Sequence, residues 1–212
     1  MEKILVIGAN GNTGSRIVEQ LLKADNYSPV AMVRKEHQKD KFENMGSLVC
    51  VGDLEEDFSS CFEGIDKVIF AAGSGSNTGN DKTEAVDRDG AIKAIDLSVD
   101  SGISKFVMLS SMGTDIPDQV PGLENYLIAK KEADDHLKSS GLCYSIIQPG
   151  GLTNTAGNGK VEVAKKLNKF GKITRDDVAE TLIECLELDT AKNTTFELLD
   201  GEVEITEALK TL

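Results

Sequence analysis

Short apolar runs alternate with stretches of helical periodicity along the whole chain. Ile4 to Ile7 is wholly apolar, glycine-rich sequence follows, and Ile17, Val18, Leu21 and Leu22 then recur at helical spacing. That order predicts strand, turn, helix. Further β-branched runs predict strands at Pro29 to Arg34, Leu48 to Val51, Lys67 to Ala72, Lys105 to Ser110, Tyr144 to Gln148 and Thr195 to Leu199. Amphipathic stretches at Ala85 to Val99, Leu123 to Leu137 and Thr174 to Leu188 predict helices between them, the last with Thr174 as N-cap. Continuously apolar strands alternating with helices imply an α/β fold: a doubly wound parallel sheet of about seven strands, covered on both faces. Residues 1–212 read as one unit, with 152–172 a small, weakly patterned insertion.

Charge narrows the partners. A formal net charge of -13 opposes binding to nucleic acid or to an anionic membrane, and no apolar run reaches the length of a membrane span. Any anionic ligand must then be held by local groups. The four cysteines, Cys50, Cys61, Cys143 and Cys185, form no Cys-x-x-Cys pair, and the N-terminus lacks a signal pattern, so a cytoplasmic protein with reduced thiols is expected. His37 and His136 lie near no cluster with ligand spacing, and no metal is expected. The acidic pairs Asp134-Asp135 and Asp176-Asp177 read as solvated helix positions.

Three constellations carry candidate chemistry. Gly8-Ala9-Asn10-Gly11-Asn12-Thr13-Gly14 lies between the first strand and the first helix, where glycines permit a tight turn and a close backbone approach to a diphosphate. The helix N-terminus supplies amides for the phosphates. At the end of the second strand, where NAD sites carry an acid for the ribose 2′-hydroxyl, stand Arg34 and Lys35, which suit a 2′-phosphate; Asp53 and Leu54 follow the third strand, with Asp53 read either as an adenine contact or as a turn residue. Finally, Tyr126 and Lys130 share a helical face, and Ser110 and Ser111 end the fifth strand. A phenol beside an ammonium suits acid/base chemistry, and a serine hydroxyl can donate to a substrate carbonyl oxygen.

Taken together with Ala71-Ala72-Gly73, Val86-Asp87-Arg88-Asp89-Gly90, Gln148-Pro149-Gly150-Gly151 and Ile173 to Ala179, these motifs make a chain that resembles the short-chain dehydrogenase/reductase superfamily. Within it, the resemblance is to the atypical, NmrA-like NAD(P)-binding proteins of epimerase/dehydratase type, with a Rossmann fold. The resemblance implies that Ala71, Ala72 and Gly73 line the adenosine and diphosphate path, and that Pro149, Gly150 and Gly151 flank the nicotinamide. It further implies Tyr126 as general acid/base, Lys130 as ribose ligand and tuner of Tyr126, and Ser111 as substrate-orienting residue with Ser110 as its substitute. Other members of the superfamily use an Asn on the fourth helix, where this chain has Val86-Asp87.

The activity so implied is hydride transfer between NADP(H), or NAD(H), and a small carbonyl or alcohol, the partner being a small-molecule substrate. The segment after the sixth strand is too short to embrace a nucleotide-sugar. The competing reading is a dinucleotide-binding redox sensor or regulatory protein without turnover, as some NmrA-like relatives are.

Overall fold

The computed structural model describes residues 1–75 and 79–212. Seven parallel-paired strands form the centre: β1 (Glu2–Ile7), β2 (Tyr27–Val33), β3 (Leu48–Val51), β4 (Lys67–Phe70), β5 (Lys105–Leu109), β6 (Tyr144–Pro149) and β10 (Thr194–Asp200). They correspond to the seven runs expected from the sequence. Chain reversal beside β1, in the order β6-β5-β4-β1-β2-β3, creates a crevice at the carboxyl ends of the strands.

The remaining strands come from the stretch expected to be a small insertion. β7 (Gly151–Thr153) pairs with β9 (Lys172–Thr174) in a separate two-stranded sheet, whereas β8 (Lys160–Ala164) runs antiparallel to β10 and carries β11 (Val203–Glu204) at the outer edge. Among the described residues the main sheet therefore has nine strands. Residues 152–172 lengthen the sheet as well as bordering the crevice.

The first helix, α1 (Asn12–Leu21), follows β1, and the short α2 (Lys39–Glu43) leads to β3. A single continuous helical rod combines α3 (Asn80–Lys82), a π-helical stretch over Thr83–Gly90, and α4 (Ala91–Asp100). Then come α5 (Glu124–Ser139), α6 (Arg175–Glu184) and α7 (Ile205–Leu209). As expected, Thr174 caps α6, its Oγ1 accepting from the Asp177 amide at 3.0 Å.

Strand periodicity explains the unbroken apolar run in β1. Ile4 and Val6 enter one core with Ile17, Leu21, Val178 and Leu182, while Leu5 and Ile7 enter the other with Phe70, Ile95, Phe106 and Leu137. Both faces are covered by helices. No helix among the described residues is long and apolar enough to cross a membrane.

Two expectations are corrected. Cys50 and Cys61 are joined as a disulfide with Cα atoms 5.6 Å apart, because the 3₁₀ turn at Ser59–Phe62 folds back against the end of β3. Asp134 and Asp177 are not solvated but about 1% exposed; Asp134 lies four residues after Lys130 and shares its inward face, and Asp177 is drawn under the Gly157–Gly159 loop by hydrogen bonds.

Candidate functional site

A cavity of about 940 Å³ occupies the crevice, lined from one side to the other by the glycine loop, the ends of β2 and β3, residues 71–75, the start of the π-helical stretch and the start of α5. Gly8 turns the chain at φ +87°, and a side chain there would lie 2.6 Å from the Ala72 backbone. At Gly14 a Cβ would collide with the Gly8 carbonyl oxygen, so only glycine lets α1 start this close to the loop. Gly11 caps α1 without a side-chain hydrogen bond. The first-turn amides of a helix have no acceptor within it, and here they begin among Gly11, Asn12 and Thr13 on the cavity wall.

On the β2 side, Arg34 is exposed and lines the cavity with Gln38, whose Oε1 accepts from the Arg34 and Lys35 amides, both at 3.0 Å. Asp53 also lines it, and its Oδ1 accepts from the Glu55 amide at 3.1 Å, as the turn reading of this residue requires. Lys82, which the sequence did not single out, adds a second cation. Hydrogen bonds from its ammonium to both Glu55 carboxylate oxygens, at 2.7 and 2.8 Å, hold its pKa above the ordinary value against the opposing charge of Arg34.

The opposite side buries its charges. Lys130, 2% exposed, directs its ammonium at Asp87 Oδ1, 3.7 Å away, and over the Phe70 ring at 5.8 Å. Asp87 occupies the neighbourhood where superfamily members carry Asn; its Oδ2 accepts from the Ser74 amide at 3.0 Å, while Oδ1 has no hydrogen-bond partner among the described residues. Burial lowers the Lys130 pKa, but Tyr126, Asp87 and Asp134 together outweigh it, and the net shift is upward. Lys130 is therefore a cation.

Burial likewise raises the pKa of Tyr126, only partly offset by Lys130 and by a hydrogen bond with Ser111. At neutral pH the phenol keeps its proton. Ser110 Oγ donates to Asp134 Oδ2 at 2.6 Å, with Gln148 Nε2 donating to the same oxygen at 3.3 Å. Its proton is thus committed inward, while Ser111, beside Tyr126, donates its own to the Met112 carbonyl at 3.2 Å. Burial raises the Asp134 carboxyl to about 6, against the Ser110 and Lys130 interactions.

Of the sequence candidates, Gly8, Asn10, Gly11, Asn12, Thr13, Arg34, Asp53, Leu54, Ala71, Ala72, Gly73, Ser110, Tyr126 and Lys130 meet on this one wall. Gly14, Lys35, Ser111, Pro149, Gly150 and Gly151 are not among its lining residues. Gly14 acts from behind by its lack of a side chain, and a Cβ at Gly150 would strike Gly171 and Leu199, which gives that glycine a packing reason. Lys35 is exposed on the turn beyond Arg34. Besides Lys82, sequence reasoning passed over Thr83 and Arg175. Ser74, Gly75 and Asn80 also line the cavity, and residues 76–78 lie outside those described.

The cavity fits a nicotinamide dinucleotide: a side-chain-free cradle, an uncapped helix start, and cations beside β2. Comparison with known proteins agrees. The profile of a family described as NAD(P)H-binding matches residues 8–189. A Bacillus subtilis protein named "uncharacterized sugar epimerase YhfK" is 44% identical, covering 99% of this chain and all of that one. Sanguinarine reductase of Eschscholzia californica is 29% identical over 98% of this chain and 92% of its own. A solved structure from Bacillus halodurans, named for the NAD-dependent epimerase/dehydratase class, superposes with a TM-score of 0.95 at 43% identity over the full length of both chains. The glycine cradle, the doubly wound sheet and these likenesses converge: the chain belongs to the NAD(P)H-binding family of oxidoreductase-like, atypical short-chain dehydrogenase/reductase proteins.

Proposed function

We propose that the protein is an NADP(H)-dependent oxidoreductase that reduces a small carbonyl compound, with Tyr126 as the proton donor. The observation that carries this reading is that the half-buried Tyr126 and the buried Lys130, the latter backed by Asp87, line the same cavity as the glycine cradle. Bound there, the reduced dinucleotide supplies a hydride.

The remaining work falls to the chain. The phenol of Tyr126 holds its proton at neutral pH and gives it to the substrate oxygen as negative charge develops there. Lys130, kept cationic by its acidic neighbours, stabilises the resulting phenolate. Ser111 exchanges its 3.2 Å bond to the main-chain carbonyl of Met112 for one to the same substrate oxygen, whereas Ser110 is held by the shorter, 2.6 Å bond to the Asp134 carboxylate. Asp87 holds the ammonium through its Oδ1 and accepts from the Ser74 amide through its Oδ2.

Arg34, with Lys82 lining the same cavity, supports NADP(H) over NAD(H), because a guanidinium pairs bidentately with a phosphate and no carboxylate occupies its place. The reductase among the relatives is in keeping with this chemistry. The test is a panel of small aldehydes, ketones and quinones with NADPH and with NADH, followed at the nicotinamide absorbance. Oxidation of NADPH that depends on one carbonyl class bears the proposal out. Tight NADPH binding with no turnover across the panel would favour a redox sensor instead.

A further inference from the structure

Four cations line the cavity among the described residues: Arg34, Lys82, Lys130 and Arg175. Three are accounted for. Lys82 is paired with Glu55 and Lys130 with Asp87, and Arg34 stands at the β2 end. Arg175 has no carboxylate partner among the described residues; its Nη1 donates to the neutral Oδ1 of Asn154 at 2.9 Å.

The acids beside it are spent elsewhere. Asp176 accepts from Arg16 Nε at 2.6 Å and from the Gly157 amide at 3.2 Å, while Asp177 accepts from Thr174 Oγ1 and from the amides of Asn158 and Gly159. Arg175 is also the first residue of α6, where the helix dipole favours anions and disfavours a cation. Neither the helix nor an ion pair explains a guanidinium at this position.

Topology says which end of the cavity it serves. β7 follows β6 at once and pairs with β9, Thr153 opposite Thr174, so the start of α6 is delivered to the β6 side of β1, away from Arg34. The Arg16–Asp176 ion pair and the bond from Gln20 Nε2 to the Asp176 carbonyl, 3.1 Å, fasten that start against α1. Arg175 and Leu152 thereby share the wall with Asn12 and Thr13.

We propose that Arg175 is a second anion-recognition arm, serving the end of the cavity where Tyr126 lies. Its guanidinium exchanges Asn154 for a phosphate or carboxylate oxygen, contributed either by the dinucleotide's diphosphate or by an acid group on the substrate. This rests on the reading of the cavity as a dinucleotide site.

Calorimetric titration of NADPH into wild type, Arg175→Ala and Arg175→Lys, with circular dichroism and melting to confirm the fold of each, examines the first source. Binding of 2-carboxybenzaldehyde and of benzaldehyde to the NADP⁺-loaded proteins, again by calorimetry, examines the second without requiring turnover. NADPH binding weakened about tenfold in Arg175→Ala and partly restored in Arg175→Lys assigns the arm to the diphosphate. Unchanged NADPH affinity, with a wild-type preference for the carboxylated aldehyde that Arg175→Ala abolishes, assigns it to the substrate. Should wild type bind NADPH while Arg175→Ala matches it in both titrations, the inference falls alone. A wild type that does not bind NADPH overturns the cavity reading and the inference with it.

Discussion

Arg34 and Lys82 carry their charges in water at the β2 end of the cavity, whereas Lys130, Asp87 and Asp134 carry theirs in the interior beneath β4, β5 and β6. The consequence is a division of labour. Exposed ion pairs are screened and contribute about 0–1 kcal/mol each, so the β2 end can select a phosphate without disturbing the fold. Buried charges shift one another's proton affinities strongly, which suits the other end to holding and moving a proton.

The comparison is broken most severely at Tyr126. Tyr126→Phe is expected to lower turnover by about 10²- to 10⁴-fold while leaving NADPH affinity unchanged, measured by steady-state rates beside calorimetry. A variant as active as wild type would remove the phenol from the reaction.

Asp134 sharpens the buried end. Its folded-state carboxyl, raised from an ordinary 3.8 to about 6, titrates above the unfolded one, so folding favours the protonated form. The stability it contributes is full below pH 4 and is lost as pH rises through 6. Asn can still accept from Ser110 without ionising, so Asp134→Asn should gain on wild type between pH 4 and pH 7 by about 3 kcal/mol, from the two carboxyl values at 1.36 kcal/mol per pH unit. Urea denaturation across that range checks it, and a difference independent of pH would contradict it.

Smaller effects belong to the exposed end. Arg34→Ala should weaken NADPH by about 1.5–3 kcal/mol, a factor of roughly 10 to 150, and NADH hardly at all. Lys82→Ala, whose ammonium is shared with Glu55, should cost NADPH affinity only about two- to fivefold, and the loss should shrink in high salt. Equal losses for NADPH and NADH in either variant would mean that these cations do not read the 2′-phosphate.

How much of this was legible in the sequence follows the same divide between local and distant causes. The Gly8–Gly14 loop and the Tyr126–Lys130 face are set by spacing within one turn or one helix, and both stand where the pattern put them. Lys82 and Arg175 reach the cavity only through tertiary placement, the first on a helix start across from β3, the second through the β7–β9 pairing. Asp134 was misread because two adjacent acids suggest a wet face, whereas its partners, Ser110 and Gln148, come from β5 and β6. β8, with Val161 and Val163 alternating among polar residues, had the period of an edge strand but no apolar run to announce it. Cys50 and Cys61 met for a similar reason, since a turn and not a motif spacing brings them together.

The most direct test of the account measures the NADPH dissociation constant and the turnover rate at saturating NADPH for Arg34→Ala and Tyr126→Phe together. A crossed result is expected: Arg34→Ala loses affinity and keeps its turnover rate, while Tyr126→Phe keeps affinity and loses turnover. If both variants changed the same quantity, the separation of a phosphate-reading end from a proton-handling end would be contradicted.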